Sequence, residues 1–505
     1  MIASKRPIRQ RLAALGRTAS IGSEMTQPAP SCKGSQRRRD LRLGRFSLPA
    51  RLIACASACA LVMADAPGRA QDPAKGLPLI RDAEIEQLLR EYTQPILRVA
   101  GLAQQNVHVA IINDRAFNAF VIDGHRIFMN AGALMEAQTP NQVIGVLAHE
   151  TGHIAGGHLM KLRQELANAQ TAAIVALLLG IGAMAAGAAS GTRGAGDVGM
   201  AALSAPQGVI MHSLLSYVRT QEEQADRAGV KFLTATGQSA RGMYETFKRF
   251  YDQTMFQSSS IDPYVQTHPM PAERMAALEG VARSSPYWDK KDPPELQLRH
   301  DMMRAKLYGF IERPDAVLRR YPPSDTSLPA RYARAIVTYR HRDIATATGL
   351  IDGLIQTQPN NPYFHELKGQ TLLEAGRPAE AVAPLRQAIA HAPDPTLMQV
   401  MLGQALVATE NPRLADEAIT SLRAALARDP DIPDGYVQLA MAYSRKGDLA
   451  QADLASAQAA FTRGDYPTAR QLAMRAKTRF PVGSPGWVKA DDISSYKPPA
   501  AARRL

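Results

Sequence analysis

In LAHETGHIAGGH, residues 147–158, two histidines stand four positions apart, with a glutamate directly after the first. On an α-helix, positions i and i+4 lie about 40° apart on one face. His149 and His153 can therefore aim two imidazoles at one point. Glu150 projects from a neighbouring direction, beside that point rather than onto it. This combination suits a zinc ion, with Glu150 placed to take a proton from water beside it. On a continuous helix His158 stands about 100° round from His153, so it is not expected to share the ion. A longer HExxHxxGxxH arrangement needs histidine at position 159, where this chain has Leu159.

Such a site also needs a third protein ligand. TQEEQADRAG, residues 220–229, offers Glu222 and Asp226, again i and i+4, on a helix expected over about 207–236. Glu222 completes a His2Glu set, and Asp226 fixes an imidazole through its free N–H. Choosing Glu222 over Glu223 rests on counting back four from Asp226. Alone, these acids beside Arg219 and Arg227 read as a solvated charged face. Coupled to HETGH upstream, they read as a ligand and its support.

The net charge is +13, but residues 1–71 carry +10 of it, so a nucleic-acid role is not expected from the basic balance. Those residues read as an export leader. Arg37, Arg38, Arg39, Arg42, Arg45 and Arg51 precede an apolar core, LIACASACALVM (52–63), and GRAQD offers cleavage after Ala70. A disordered basic tail is the alternative. All three cysteines lie in the leader, so an exported mature chain has neither disulfides nor thiolate ligands.

The mature chain divides, on its pattern, into a metalloprotease domain over 72–297, a helical linker over 298–327, a repeat domain over 328–485 and a flexible tail over 486–505. Within the first unit, residues 79–103 have helical spacing, 107–112 alternate as a strand, and 118–134 read as a hairpin turning at Asp123-Gly124. A helix over 137–164 carries HETGH. Residues 172–189 are almost wholly apolar but rich in alanine and glycine. They read as a buried or surface-lying segment able to touch a membrane, with a true span as the alternative. Further on, Ala335, Gly369 and Gly403 recur every 34 residues, each followed by a second helix and a closing proline: Pro359, Pro393 and Pro430. Three residues are inserted near Asn411–Leu414. A 34-residue period of paired helices with small residues at the crossing is the tetratricopeptide (TPR) signature.

HETGH, EEQAD and NAF (118–120) together resemble the metallopeptidase family of HtpX and the CAAX prenyl proteases. With the leader and the repeats, the arrangement resembles the BepA-like periplasmic proteases. The resemblance implies a mainly helical chain. An α+β zincin-like (gluzincin) domain with a small β-sheet precedes an α-solenoid of TPR repeats. One Zn2+ per chain is held by His149, His153 and Glu222, with Glu150 as the base. THPMPAER (267–274) is similar to the family's HP…R segment, which implies that His268 approaches the zinc as a fourth ligand and restrains activity. Its proline-bounded loop suits rigid presentation. Arg274 anchors that loop or binds substrate, and Tyr264 is a weaker candidate for transition-state stabilisation.

The expected function is an exported, periplasmic zinc endopeptidase. Its repeats select unfolded or misassembled envelope proteins and meet the outer-membrane barrel assembly machinery, with a chaperone-like role in quality control. Two rivals stand beside it. One is a TPR scaffold whose zinc is latent or structural. The other is an integral membrane protease of the HtpX kind.

Overall fold

The computed structural model describes residues 77–167, 217–256, 263–341 and 343–497. The leader, the apolar run 172–189 and the chain beyond residue 497 lie outside them.

The chain is mainly helical, with one small sheet in its first half. Strand β1 (Leu79–Ile80) leads into helix α1 (Ala83–Val99), followed by β2 (His108–Ile112), β3 (Ala119–Val121) and β4 (Arg126–Asn130). The sheet order is β1-β2-β4-β3. β2 and β4 run parallel, with His108 opposite Arg126, and β3 pairs antiparallel to β4, with Phe120 opposite Phe128. The hairpin turns at Asp123-Gly124. Gly124 takes φ +77°, and Asp123 Oδ1 accepts from the amides of His125 and Arg126. Leu79 and Ile80 depart from the expected helix. They pair with β2, and helix begins only after Asp82, whose carboxylate caps it by accepting from Ile85 N at 3.0 Å.

From β4 the chain enters α2 (Ala131–Glu136) and α3 (Pro140–Ala155), the helix that carries HETGH. α3 is buried on nearly every side, and Val143, Ile144, Val146, Leu147 and Ala148 are all in the core. The expected uninterrupted helix over 137–164 does not form. It breaks at Gly156-Gly157, where Gly157 adopts φ +62°, and helix α4 restarts over 158–167. Helix α5 spans 217–235, then α6 (Arg241–Phe256), α7 (Pro263–Thr267) and α8 (Ala272–Arg283) close the first half.

Helix α9 (Pro294–Ile311) corrects the expected boundary at residue 297 and the expected linker. Met303 and Leu307 belong to the core around α1 and α3, while Met302 and Phe310 belong to that of the first repeat. Gly309 lets it close on the repeats, since a Cβ there would stand 2.9 Å from Ile336. α9 is thus part of both cores. A short helix α10 (Pro314–Arg320) follows.

Five helix pairs come next: α11 (Leu328–Arg340) with α12 (Ile344–Thr357), α13 (Pro362–Glu374) with α14 (Pro378–His391), α15 (Thr396–Ala408) with α16 (Ala415–Arg428), α17 (Pro433–Arg445) with α18 (Leu449–Thr462), and α19 (Tyr466–Lys477) with α20 (Pro485–Ser495). The 34-residue spacing has a steric cause. A Cβ on Gly369 would lie 2.5 Å from Leu385 Cγ, and one on Gly403 would lie 2.4 Å from Leu422 Cγ. The inserted residues form a 3-10 turn, Pro412–Leu414. α20 occupies much of the expected tail. It buries Ala490 against Leu454 and Ala476, with Ser484 capping its start.

The repeats also hold α1. Tyr332 donates to Glu84 Oε2 at 2.9 Å, Arg81 pairs with Asp429 at 2.7 Å, and Arg90 pairs with Asp394 at 2.8 Å. At the centre of this joint, buried Lys306 of α9 faces Asp82 at 2.9 Å, Glu84 at 3.2 Å and Glu366 at 3.7 Å. Among the described residues no helix is long and apolar enough to cross a membrane.

Candidate metal centre

One close helix crossing, with small residues on both sides, builds the site. Where α3 meets α5, a Cβ on Gly152 would stand 2.8 Å from the Ala225 carbonyl oxygen, and one on Gly229 would stand 3.2 Å from His149 N. Small residues on both helices therefore let the backbones approach. Only then can the pair on α3 meet the pair on α5. Neither glycine stands out in the sequence as a site residue, because its clearance has meaning only once both helices are placed.

His149, His153, Glu222 and His268 each turn one donor atom inward, all within 4.8 Å of one another. His149 Nε2 is 3.1 Å from His153 Nε2, 3.4 Å from His268 Nδ1 and 3.4 Å from Glu222 Oε2. Glu222 Oε1 is 3.3 Å from His153 Nε2, and Glu222 Oε2 is 3.0 Å from His268 Nδ1. Four tetrahedral donors about 2.0–2.2 Å from one transition-metal ion stand roughly 3.3–3.6 Å apart. The observed spacings lie close to this. Electrostatics favours the same occupant. Glu150, Glu222 and Asp226 are all nearly inaccessible, and among the described residues the only permanent cation paired with this group is Arg274. Buried carboxylates in such excess call for a divalent ion. Glu150 Oε1 is itself buried without a hydrogen-bond partner.

The supporting contacts are specific. Asp226 Oδ1 lies 2.9 Å from His149 Nδ1. Arg274 donates to both Asp226 oxygens, at 2.7 and 2.8 Å, and its Nη1 reaches Glu222 Oε2 at 2.8 Å and the Pro269 carbonyl at 2.9 Å. Arg274 thereby ties the His268 loop to α5. Arg274 is itself buried, 3% exposed. Tyr264 is wholly buried, with its ring 4.6 Å from that of His268 and packed among Phe117, Phe247 and Phe250. It packs behind the loop. His268 N donates to Tyr264 O at 2.8 Å, and its Nε2 stands 3.5 Å from Glu150 Oε1.

Burial opposes charge on His149, yet the Asp226 and Glu222 carboxylates hold its pKa up at about 9. Burial and the neighbouring His149 push His153 down. Glu222 resists the upward push of burial and is held well below the usual carboxylate range by His268 and Arg274. For Glu150 burial outweighs the opposing pull of His268, 3.5 Å away, and raises it. The cationic neighbours thus keep Glu222 ionised, while burial favours the neutral form of Glu150.

His158 was set aside by the helical angle from His153. The break at Gly156-Gly157 removes that premise, and His158 Nδ1 comes to lie 3.1 Å from His153 Nδ1, outside the inward-facing donor set.

A site of two helical histidines, a glutamate from a second helix and an adjacent buried carboxylate, set before a helical repeat array, defines a metal-dependent peptidase with a repeat domain. Comparison with known proteins narrows the class. Residues 80–282 match peptidase family M48 and residues 332–397 match a tetratricopeptide repeat. Residues 80–282 thus form an M48-type metalloprotease domain, and tetratricopeptide repeats follow it. It is 24% identical over 416 residues to the beta-barrel assembly-enhancing protease of Yersinia pestis, covering 81% of this chain and 82% of that protein. The protein of the same name from Escherichia coli K12 is 23% identical over the same shares. Metalloprotease LoiP of Escherichia coli K12 is 27% identical over 189 residues, 36% of this chain and 68% of that protein.

Proposed function

We propose that this chain is an exported zinc-dependent endopeptidase of the cell envelope that acts on unfolded or misassembled outer-membrane β-barrel proteins. Its repeats are proposed to engage those clients and the machinery that assembles them. The observation that carries the reading is the convergence of His149, His153 and Glu222 beside a buried Glu150 whose Oε1 makes no hydrogen bond. Zinc is the ion that imidazole and carboxylate donors at these spacings suit best. The client class is supported by the similarity, over four-fifths of the chain, to relatives named for β-barrel assembly.

When bound, the ion supplies Lewis acidity for the scissile carbonyl and for water. His149, His153 and Glu222 hold it, with Asp226 keeping the His149 ring in place. Glu150 takes the proton of the attacking water on its carboxylate and returns it to the leaving amine. Arg274 keeps Glu222 ionised and Asp226 oriented. His268 supplies a fourth donor, which keeps the site closed until its loop moves and so restrains cleavage.

That fourth donor also favours a second reading, in which the protein is a repeat-bearing chaperone whose ion is permanently capped. Glu150→Gln separates the two. The peptidase reading expects metal to be retained and cleavage of an unfolded barrel protein to fall about 10²–10⁴-fold. Undiminished cleavage by this variant would overturn the mechanism, and full complementation of a deletion strain by it would favour the chaperone.

A further inference from the structure

His149, Glu150, Gly152 and His153 of HETGHIAGGH have a place in the site as described above, but the trailing GGH does not. Three observations give it one. First, the helix ends at Ala155 and the chain reverses through Gly157, at φ +62°, a conformation costly for other residues. Second, Gly156 is required by space. A Cβ there would lie 2.2 Å from Nε2 and 2.6 Å from Cδ2 of the His158 ring. Third, the ring so admitted is buried and meets His153 edge-on, the planes 84° apart and the two Nδ1 atoms 3.1 Å apart. Its own backbone is held from α5, where Gln221 Nε2 donates to the His158 carbonyl at 3.3 Å.

His149 has Asp226 on its outer nitrogen. Among the described residues no carboxylate pairs with the outer nitrogen of His153, whose side chain is 14% exposed against 0% for His149. We propose that His158 is a positioning residue that does for His153 what Asp226 does for His149. The Nδ1–H of His153 donates to His158 Nδ1, which fixes the tautomer and leaves His153 Nε2 as a donor to the ion. The Gly156-Gly157 turn is the device that delivers it. This inference rests on the metallopeptidase reading of the site.

The test uses purified protein stripped with a chelator and titrated with Co2+, whose visible absorption reports affinity and coordination geometry. His158→Ala is expected to bind Co2+ about 10–100-fold more weakly and with an altered spectrum. The unfolding temperature of its metal-free form should match that of the metal-free wild type. His158→Asn, whose amide reaches the Nδ1 position, is expected to stay within about threefold of wild type. Gly156→Ala should reproduce the loss by displacing the ring, and adding it to His158→Ala should cost nothing more. Wild-type affinity and spectrum in His158→Ala or in Gly156→Ala would overturn this proposal while leaving the peptidase reading intact. Failure of the wild type itself to bind Co2+ or Zn2+ would instead overturn that reading, and this one with it.

Discussion

Arg274 grips Asp226 through two parallel N–H···O bonds, at 2.7 and 2.8 Å, inside the protein and away from water. The planar guanidinium matches the carboxylate in a way that a lysine ammonium cannot. Because the same side chain also holds Glu222 and the Pro269 carbonyl, it ties both acids of α5 and the His268 loop together at once.

Arg274→Lys keeps the charge but loses the fork. Removing a partner from a buried pair costs about 3–5 kcal/mol, and the conservative change should cost a good part of that. The expected result is a lower unfolding temperature together with weaker Zn2+ binding, seen by calorimetry and by chelator competition. An unchanged melting curve would show that the fork does not matter.

His268→Ala removes the fourth donor while leaving three. Cleavage of an unfolded barrel protein should rise severalfold if the loop restrains the site, with zinc still bound under excess metal. Initial rates at saturating Zn2+ give the answer. A fall in rate would mean that His268 assists the reaction.

Stripping the ion leaves Glu150, Glu222 and Asp226 under-compensated in a dry site. At a thousandfold excess over Kd, the ion stabilises the native state by about 4 kcal/mol, roughly 10 °C for a domain of this size. A scan with and without chelator should show a shift of that order, reversed by added Zn2+.

The Lys306 joint predicts a pH dependence of the opposite sign from an ordinary ion pair. Burial raises Glu366, and with Asp82 and Glu84 competing for the same lysine its pKa is pushed up to about 7. The native state keeps a proton that the unfolded chain has released, so stability falls as pH rises from the ordinary glutamate range to about 7, then levels. Glu366→Gln should flatten that slope, melting several degrees above the parent at pH 8 and close to it at pH 5.

Two glycines make a paired test of the repeats. Gly403→Ala drives a methyl into Leu422 and should cost about 1–3 kcal/mol. Gly349, on the exposed face of α12, has nothing within 4 Å of an added Cβ, so Gly349→Ala should stabilise by roughly 0.5–1 kcal/mol. Denaturant titrations distinguish them.

The parts legible in the sequence are those set by a fixed period. His149 with His153, and Glu222 with Asp226, share helix faces whatever surrounds them, and the 34-residue spacing records the clash that Gly369 and Gly403 avoid. Where the period itself fails, inference fails with it. Gly156-Gly157 reads as a tolerable flaw in a helix, and only the reversal at Gly157 brings His158 back to His153. The extent of α9 was hidden for another reason. Its apolar residues serve two cores on different faces, so they show no single stripe, and a helix without a stripe resembles a connector.

That double membership makes α9 a strut rather than a hinge. Sever the chain at residue 297 and each fragment would expose a raw apolar face, so neither should be obtained as a well-behaved piece. A load placed on the repeats would pass through α9 straight to the core behind His149 and His153, with no slack in between to absorb it.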